Sequence, residues 1–124
     1  MSPHRALIIE DNADLATIFA EALKAAGFTT SIVQDGGQAM AQLLELLPSV
    51  IILDLHLPQI SGQEILEQIR AHPQLHRSRV IIATADAGLS EELPPQADLI
   101  LLKPISFIQL ATLATRLHAT LGNK

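Results

Sequence analysis

With 124 residues the chain has room for one domain with a real core, and too few for two. Aromatic residues make up 2% of it against 48% apolar residues, so the core has to be aliphatic, while eight basic residues against thirteen acidic ones, with no run of Lys or Arg, exclude direct nucleic-acid binding. There is no cysteine, no signal-peptide pattern and no apolar run near the roughly 18 residues that cross a bilayer, which predicts a cytoplasmic protein that does not enter membranes.

The first predicted strand is Ala6 to Ile9, four apolar residues without polar alternation. Leu15, Ile18, Phe19, Ala22, Leu23 and Ala26 then recur at helical spacing, with Gly27 as a stop signal. Thr29 to Val33 is a more polar strand, suited to an edge. A second helix carries Met40, Leu43, Leu44 and Leu47, opened by Asp35 with Gln38. The strand Val50 to Leu53 follows, then a helix with Ile65, Leu66 and Ile69 opened by Ser61 with Glu64. After the strand Val80 to Ala83, Ser90, Glu91 and Glu92 can begin a helix that Pro94 and Pro95 end within about one turn, so the fourth helix is expected to be shortened. The strand Leu99 to Leu102 and a last helix with Leu110, Leu113, Leu117 and Leu121, opened by Ser106 with Gln109, complete residues 1–124 as one domain.

Strand and helix alternate five times, and four of the strands read as buried on both faces. That pattern predicts an α/β fold, a doubly wound five-stranded parallel sheet with its ligand site beyond the carboxyl ends of the strands. Those ends deliver Glu10 and Asp11, then Asp54, then Thr84, then Lys103 followed by Pro104. Three carboxylates in one cleft repel one another, and a hard cation with oxygen ligands relieves this; Mg²⁺ is the natural candidate. A carboxylate beside a metal, a lysine and a hydroxyl suits phosphoryl transfer, with Asp54 as nucleophile and Thr84 drawn toward the acyl phosphate. Singly, each residue has a bland role in capping or in a loop. Their joint occurrence at four strand ends, in this order, points to a site.

With LIIEDN at 7–12, IILDLHLPQISG at 51–62, IIATA at 81–85 and ADLILLKP at 97–104, almost the whole chain resembles the receiver domain of bacterial response regulators. The resemblance implies the CheY-like, flavodoxin-like strand order 2-1-3-4-5. It implies that Asp11 and Asp54 bind Mg²⁺ directly, that Glu10 acts near the metal or through water, and that the backbone carbonyl of His56 is a further ligand. Lys103 would contact the phosphoryl group, Thr84 would follow it on activation, and the Lys103–Pro104 bond would be cis. The donor would be a phosphohistidine on a sensor histidine kinase or phosphotransfer protein. The output would be altered binding to a downstream protein or to an output domain beyond these residues. Such a domain is a phosphoacceptor that catalyses its own phosphotransfer and dephosphorylation, not an enzyme with a separate substrate.

The chain departs from the family pattern in several places. Ile100 stands where the family's switch carries a Tyr or Phe, Thr84 and Lys103 are closer in sequence than is usual, and Arg116 is the only basic residue of the last helix before Lys124. His56, two residues past the acceptor, is expected to overhang the phosphoryl group; it reads either as a solvated loop histidine, the commoner case, or as a side chain that tunes hydrolysis of the acyl phosphate. His72 and His76, with Pro73 between them, read as a polar loop and not as metal ligands. Two other functions fit less well. A phosphorylation-independent docking module has no need of the full acceptor set, and a haloacid dehalogenase-like phosphatase needs an Asp-x-Asp start that Asp54, Leu55 and His56 lack.

Overall fold

Runs such as Leu7-Ile8-Ile9 and Ile51-Ile52-Leu53 have no polar position to turn toward water, and they are buried on both faces of a sheet. The structure, a computed structural model, describes residues 4–86, 88 and 96–121. In chain order its elements are β1 (Arg5–Ile9), α1 (Ala13–Ala25), β2 (Thr29–Val33), α2 (Gly36–Leu46), β3 (Val50–Asp54), α3 (Gly62–Ala71), β4 (Arg79–Thr84), β5 (Leu99–Leu102) and α4 (Phe107–Leu121). All strand pairs are parallel and the order is β2-β1-β3-β4-β5. The doubly wound fold and the strand order are those expected.

Because strand side chains alternate, each apolar run feeds two cores. Ala6, Ile8, Val50, Ile52, Ile81 and Ala83 face one side, where Phe19 and Leu23 of α1 and Leu110 and Ala114 of α4 cover them. Leu7, Ile9, Ile51, Leu53, Val80 and Ile82 face the other, under Leu43 of α2 and Ile65, Leu66 and Ile69 of α3. Ala26 is the C-cap of α1, and Gly27 then takes φ +107, a backbone conformation that L side chains rarely adopt.

Some expectations need correction. β5 lies at a sheet edge and is only half-buried, with Leu102 exposed, where its unbroken apolar run suggested burial on both faces. Periodicity placed Ile18, Leu44 and Leu47 in helix stripes, yet all three are exposed. Leu47 lies past the end of α2 as its C-cap, in a left-handed conformation. Asp35 caps α2 through the N–H of Gly37 and not that of Gln38, whereas Ser61 and Ser106 accept from Glu64 and Gln109. The shortened helix expected from Ser90 to Pro95 lies outside the described residues.

At the amino end of the sheet an ion-pair network ties three segments together. Arg70, in the last turn of α3, donates to the backbone carbonyls of Gln96, His76 and Ser78 and to Asp98 Oδ2 at 2.9 Å. Asp98 Oδ2 also accepts the N–H of Val80. The α3–β4 turn and the starts of β4 and β5 are thereby fixed, which holds the far ends of these strands in register.

Candidate functional site

Parallel register decides which residues meet at the carboxyl rim. Ile9 pairs with Leu53 and Asp54 with Ala83, so the residue after β1 and the last residue of β3 emerge side by side. Thr84 pairs with Leu102, which sets Lys103 one step beyond it. Glu10, Asp11 and Asp54 converge, each offering a carboxylate oxygen within 4.8 Å of the others. Glu10 and Asp54 are buried and Asp11 is exposed, so the cluster is open to solvent on one side. Lys103 Nζ closes it, 2.8 Å from Glu10 Oε1 and 3.4 Å from Asp54 Oδ2.

Local backbone shapes the site as much as side chains do. Asn12 caps α1 through Leu15 N–H, and its own N–H donates to Glu10 Oε2. The N–H of His56 donates to Asp54 Oδ1 at 3.1 Å, which orients the carboxylate and leaves Oδ2 toward Lys103. Neither N–H contact was read from sequence, although an Asn just before a helical stripe is a legible capping signal. Gly62 begins α3 hard against the end of β3: a Cβ there would lie 2.3 Å from the Asp54 carbonyl oxygen and 2.7 Å from Leu55 Cα. Only glycine admits that approach.

Burial pushes the Glu10 carboxyl above its ordinary pKa; the Lys103 ammonium and the Asn12 N–H pull it down without cancelling the rise, and the charge of Asp54 adds to it. For Lys103 burial acts to lower the pKa, but Glu10 and Asp54 outweigh it and the ammonium is held above the usual lysine value. The contact between Lys103 and Glu10 Oε1 is close but not directed as a hydrogen bond, so this buried oxygen has none among the described residues. Three oxygen ligands within reach of one another, one of them buried with an ion-pair partner but no directed hydrogen bond, fit a hard divalent cation.

Thr84 is fully buried at the end of β4; its hydroxyl accepts the N–H of Asp86 and its carbonyl accepts the N–H of Lys103 at 2.7 Å. Its hydroxyl is engaged within its own loop. The His56 side chain is exposed beside Asp54, the Lys103–Pro104 bond is cis, and Ile100 packs half-buried against the core under α2 and α3.

A sequence profile of the response regulator receiver domain matches residues 6–115. The chain belongs to that family. This receiver is 34% identical over 106 residues to the phosphate regulon transcriptional regulatory protein PhoB of Rhizobium meliloti, a match that covers 83% of this chain and 47% of PhoB. The chain thus spans about half the length of that relative. Among solved structures it superposes on a CheY-like receiver domain from Methylobacillus flagellatus with a TM-score of 0.82 at 29% identity, covering 93% of this chain and 98% of that one. It superposes likewise on the receiver domain of a signal transduction histidine kinase from Syntrophus aciditrophicus, with a TM-score of 0.83 at 27% identity, covering 98% and 94%. The receiver is therefore a signalling domain of the two-component class, and no helix among its described residues is long and apolar enough to cross a membrane.

Proposed function

We propose that Asp54 accepts a phosphoryl group from a phosphohistidine donor, with Mg²⁺ held by Glu10, Asp11, Asp54 and the His56 carbonyl, and that the product changes how the receiver binds its partner. The observation that carries this reading is the cluster of three carboxylates with one ammonium on two of them. Asp54 Oδ2 faces that ammonium while Oδ1 is held by the His56 N–H, so the nucleophile is oriented before a donor arrives. An oxygen–phosphorus bond forms as the phosphorus–nitrogen bond of the donor breaks, and the departing imidazole takes up a proton. Bound Mg²⁺ supplies positive charge to the oxygens of the transferred group.

Lys103 then exchanges its contact with Asp54 for one with a phosphoryl oxygen, and the Thr84 hydroxyl trades the Asp86 N–H for the same group. The switch runs without an aromatic ring, because Ile100 is aliphatic. Transfer onto Asp54 and its later hydrolysis are both catalysed by this site. The donor is a sensor histidine kinase or a phosphotransfer protein in the cytoplasm. The recipient of the signal is a downstream protein or an output domain, as the transcriptional role in PhoB's name suggests.

Incubation with Mg²⁺ and acetyl phosphate tests the reading. Wild type is expected to gain the mass of one phosphoryl group and Asp54→Asn none; a gain retained by Asp54→Asn, or absent from wild type, overturns it. The exposed His56 ring beside the acceptor tunes the lifetime of the acyl phosphate, so His56→Ala is expected to change that lifetime, and an equal lifetime removes the role.

A further inference from the structure

At the amino end of the sheet, away from the carboxylate cluster, Arg70, His76, Arg77, Ser78, Arg79 and Asp98 line a cleft of about 390 Å³. Three guanidiniums there meet one carboxylate, in a chain whose net charge is -5. The concentration of cations is local and runs against the charge of the whole.

The three arginines are not equivalent. Arg70 is spent on the protein itself, donating to three backbone carbonyls and to Asp98. Arg79 reaches Asp98 Oδ1 only at 3.5 Å, on a carboxylate that Arg70 and Val80 already use. The side chain of Arg77 is exposed and makes no hydrogen bond or ion pair to any described residue, and the same holds for the imidazole of His76. The cleft therefore has a rigid wall, built by the Arg70 network, and donors on its rim that no described protein group engages.

We propose that this cleft binds a small molecule carrying a phosphomonoester, with Arg77 and Arg79 as the groups that hold the phosphate. A guanidinium presents paired N–H donors that match two phosphate oxygens, and two of them suit a dianion. The volume lies in the range of small-ligand pockets and exceeds what one phosphate fills, which leaves room beside the phosphate for the organic part of an ester. A longer polyanion is disfavoured because the other described basic residues, Arg5, Lys24, Lys103 and Arg116, stand one to a segment, with Lys24 paired to Glu21 and Lys103 to Glu10 and Asp54, and form no continuous track.

The isotope-labelled chain in magnesium-free buffer is titrated separately with AMP, phosphoserine, inorganic phosphate and a short DNA duplex, and its amide spectrum followed. AMP or phosphoserine is expected to shift the amides of Arg79, Val80 and Asp98 saturably and to bind more tightly than inorganic phosphate. The double variant Arg77→Gln/Arg79→Gln is expected to weaken that binding by about tenfold for each guanidinium removed, the loss of one charge-assisted contact apiece. Its unfolding midpoint should stay near wild type, since neither side chain is buried. The proposal is overturned if neither phosphomonoester binds, if the shifts cluster around Asp54 and Lys103, if the double variant binds unchanged, if inorganic phosphate binds as tightly as both esters, or if the duplex binds more tightly than either.

Discussion

At the carboxyl end of the sheet the carboxylates of Glu10, Asp11 and Asp54 cluster, with the ammonium of Lys103 on two of them; at the amino end the guanidiniums of Arg70, Arg77 and Arg79 line one cleft, with the carboxylate of Asp98 on two of them. The two clusters are near mirror images in charge, yet they differ in depth. Glu10 is 1% exposed and Asp54 4%, whereas the Arg79 side chain is 48% exposed. Water can screen the surplus charge of the amino end, whereas at the carboxyl end it reaches Asp11 but little of Glu10 and Asp54. Depth, more than the count of charges, determines which cluster needs a counter-ion. The amino end owes its rigidity to the backbone carbonyls that Arg70 holds, and the carboxyl end has a buried oxygen still without a hydrogen bond.

The comparison is broken most directly at Arg70. Arg70→Ala strips four contacts and leaves Asp98 and several carbonyls under-satisfied. A loss of about 3 kcal/mol is expected in urea unfolding, against less than about 1 kcal/mol for Arg79→Ala. Equal losses would mean that the network adds nothing beyond surface charge.

Mg²⁺ probes the opposite end. At a hundred times its dissociation constant it should raise unfolding free energy by about 2.7 kcal/mol, and Asp11→Asn should remove most of that gain. A thermal melt indifferent to Mg²⁺ would show that the carboxyl cluster is already balanced by Lys103. A smaller effect is expected from Gly62→Ala, which forces a Cβ into the end of β3 and should cost about 2 kcal/mol by the same urea assay. It should also slow phosphorylation of Asp54, whose backbone must shift.

The smallest effect is on pH dependence. Glu10 has a raised pKa in the folded state, so its contribution favours folding below the ordinary carboxylate pKa and is lost as pH rises through the folded value. Lys103 is likewise raised, and its contribution is complete below the ordinary lysine pKa and lost as pH climbs through its folded value. Magnesium-free protein should therefore lose stability with rising pH in two separate windows. Glu10→Gln should flatten the acidic one, which unfolding curves taken across pH would record; an unchanged slope there would show that burial does not bear on Glu10.

Much of this was legible in the sequence, because the signals were local and redundant. Apolar runs without alternation specified buried parallel strands, and the carboxyl ends of those runs named Glu10, Asp11, Asp54, Thr84 and Lys103, which the structure brings to one rim. What escaped was set by neighbours in space. Nothing within Leu99–Leu102 says that the sheet stops there, so its half-exposure follows from its place at the edge of the described sheet. Helical periodicity cannot distinguish Leu43, which is buried, from Leu44, which is not, because both fall near one stripe and only the packing partner selects between them. The N–H of His56 on Asp54 and the grip of Arg70 on distant carbonyls depend on turns whose shape no residue type announces.

The amide of Lys103 is bonded to the carbonyl of Thr84 while its ammonium touches Glu10 and Asp54, so a single residue spans both the charged rim and the strand that would carry its message. That gives the domain a native sensor. In isotope-labelled protein the nitrogen resonance of this one peptide group should register each change of charge at the rim, so that occupancy of the site can be followed in real time without a dye or an added tryptophan.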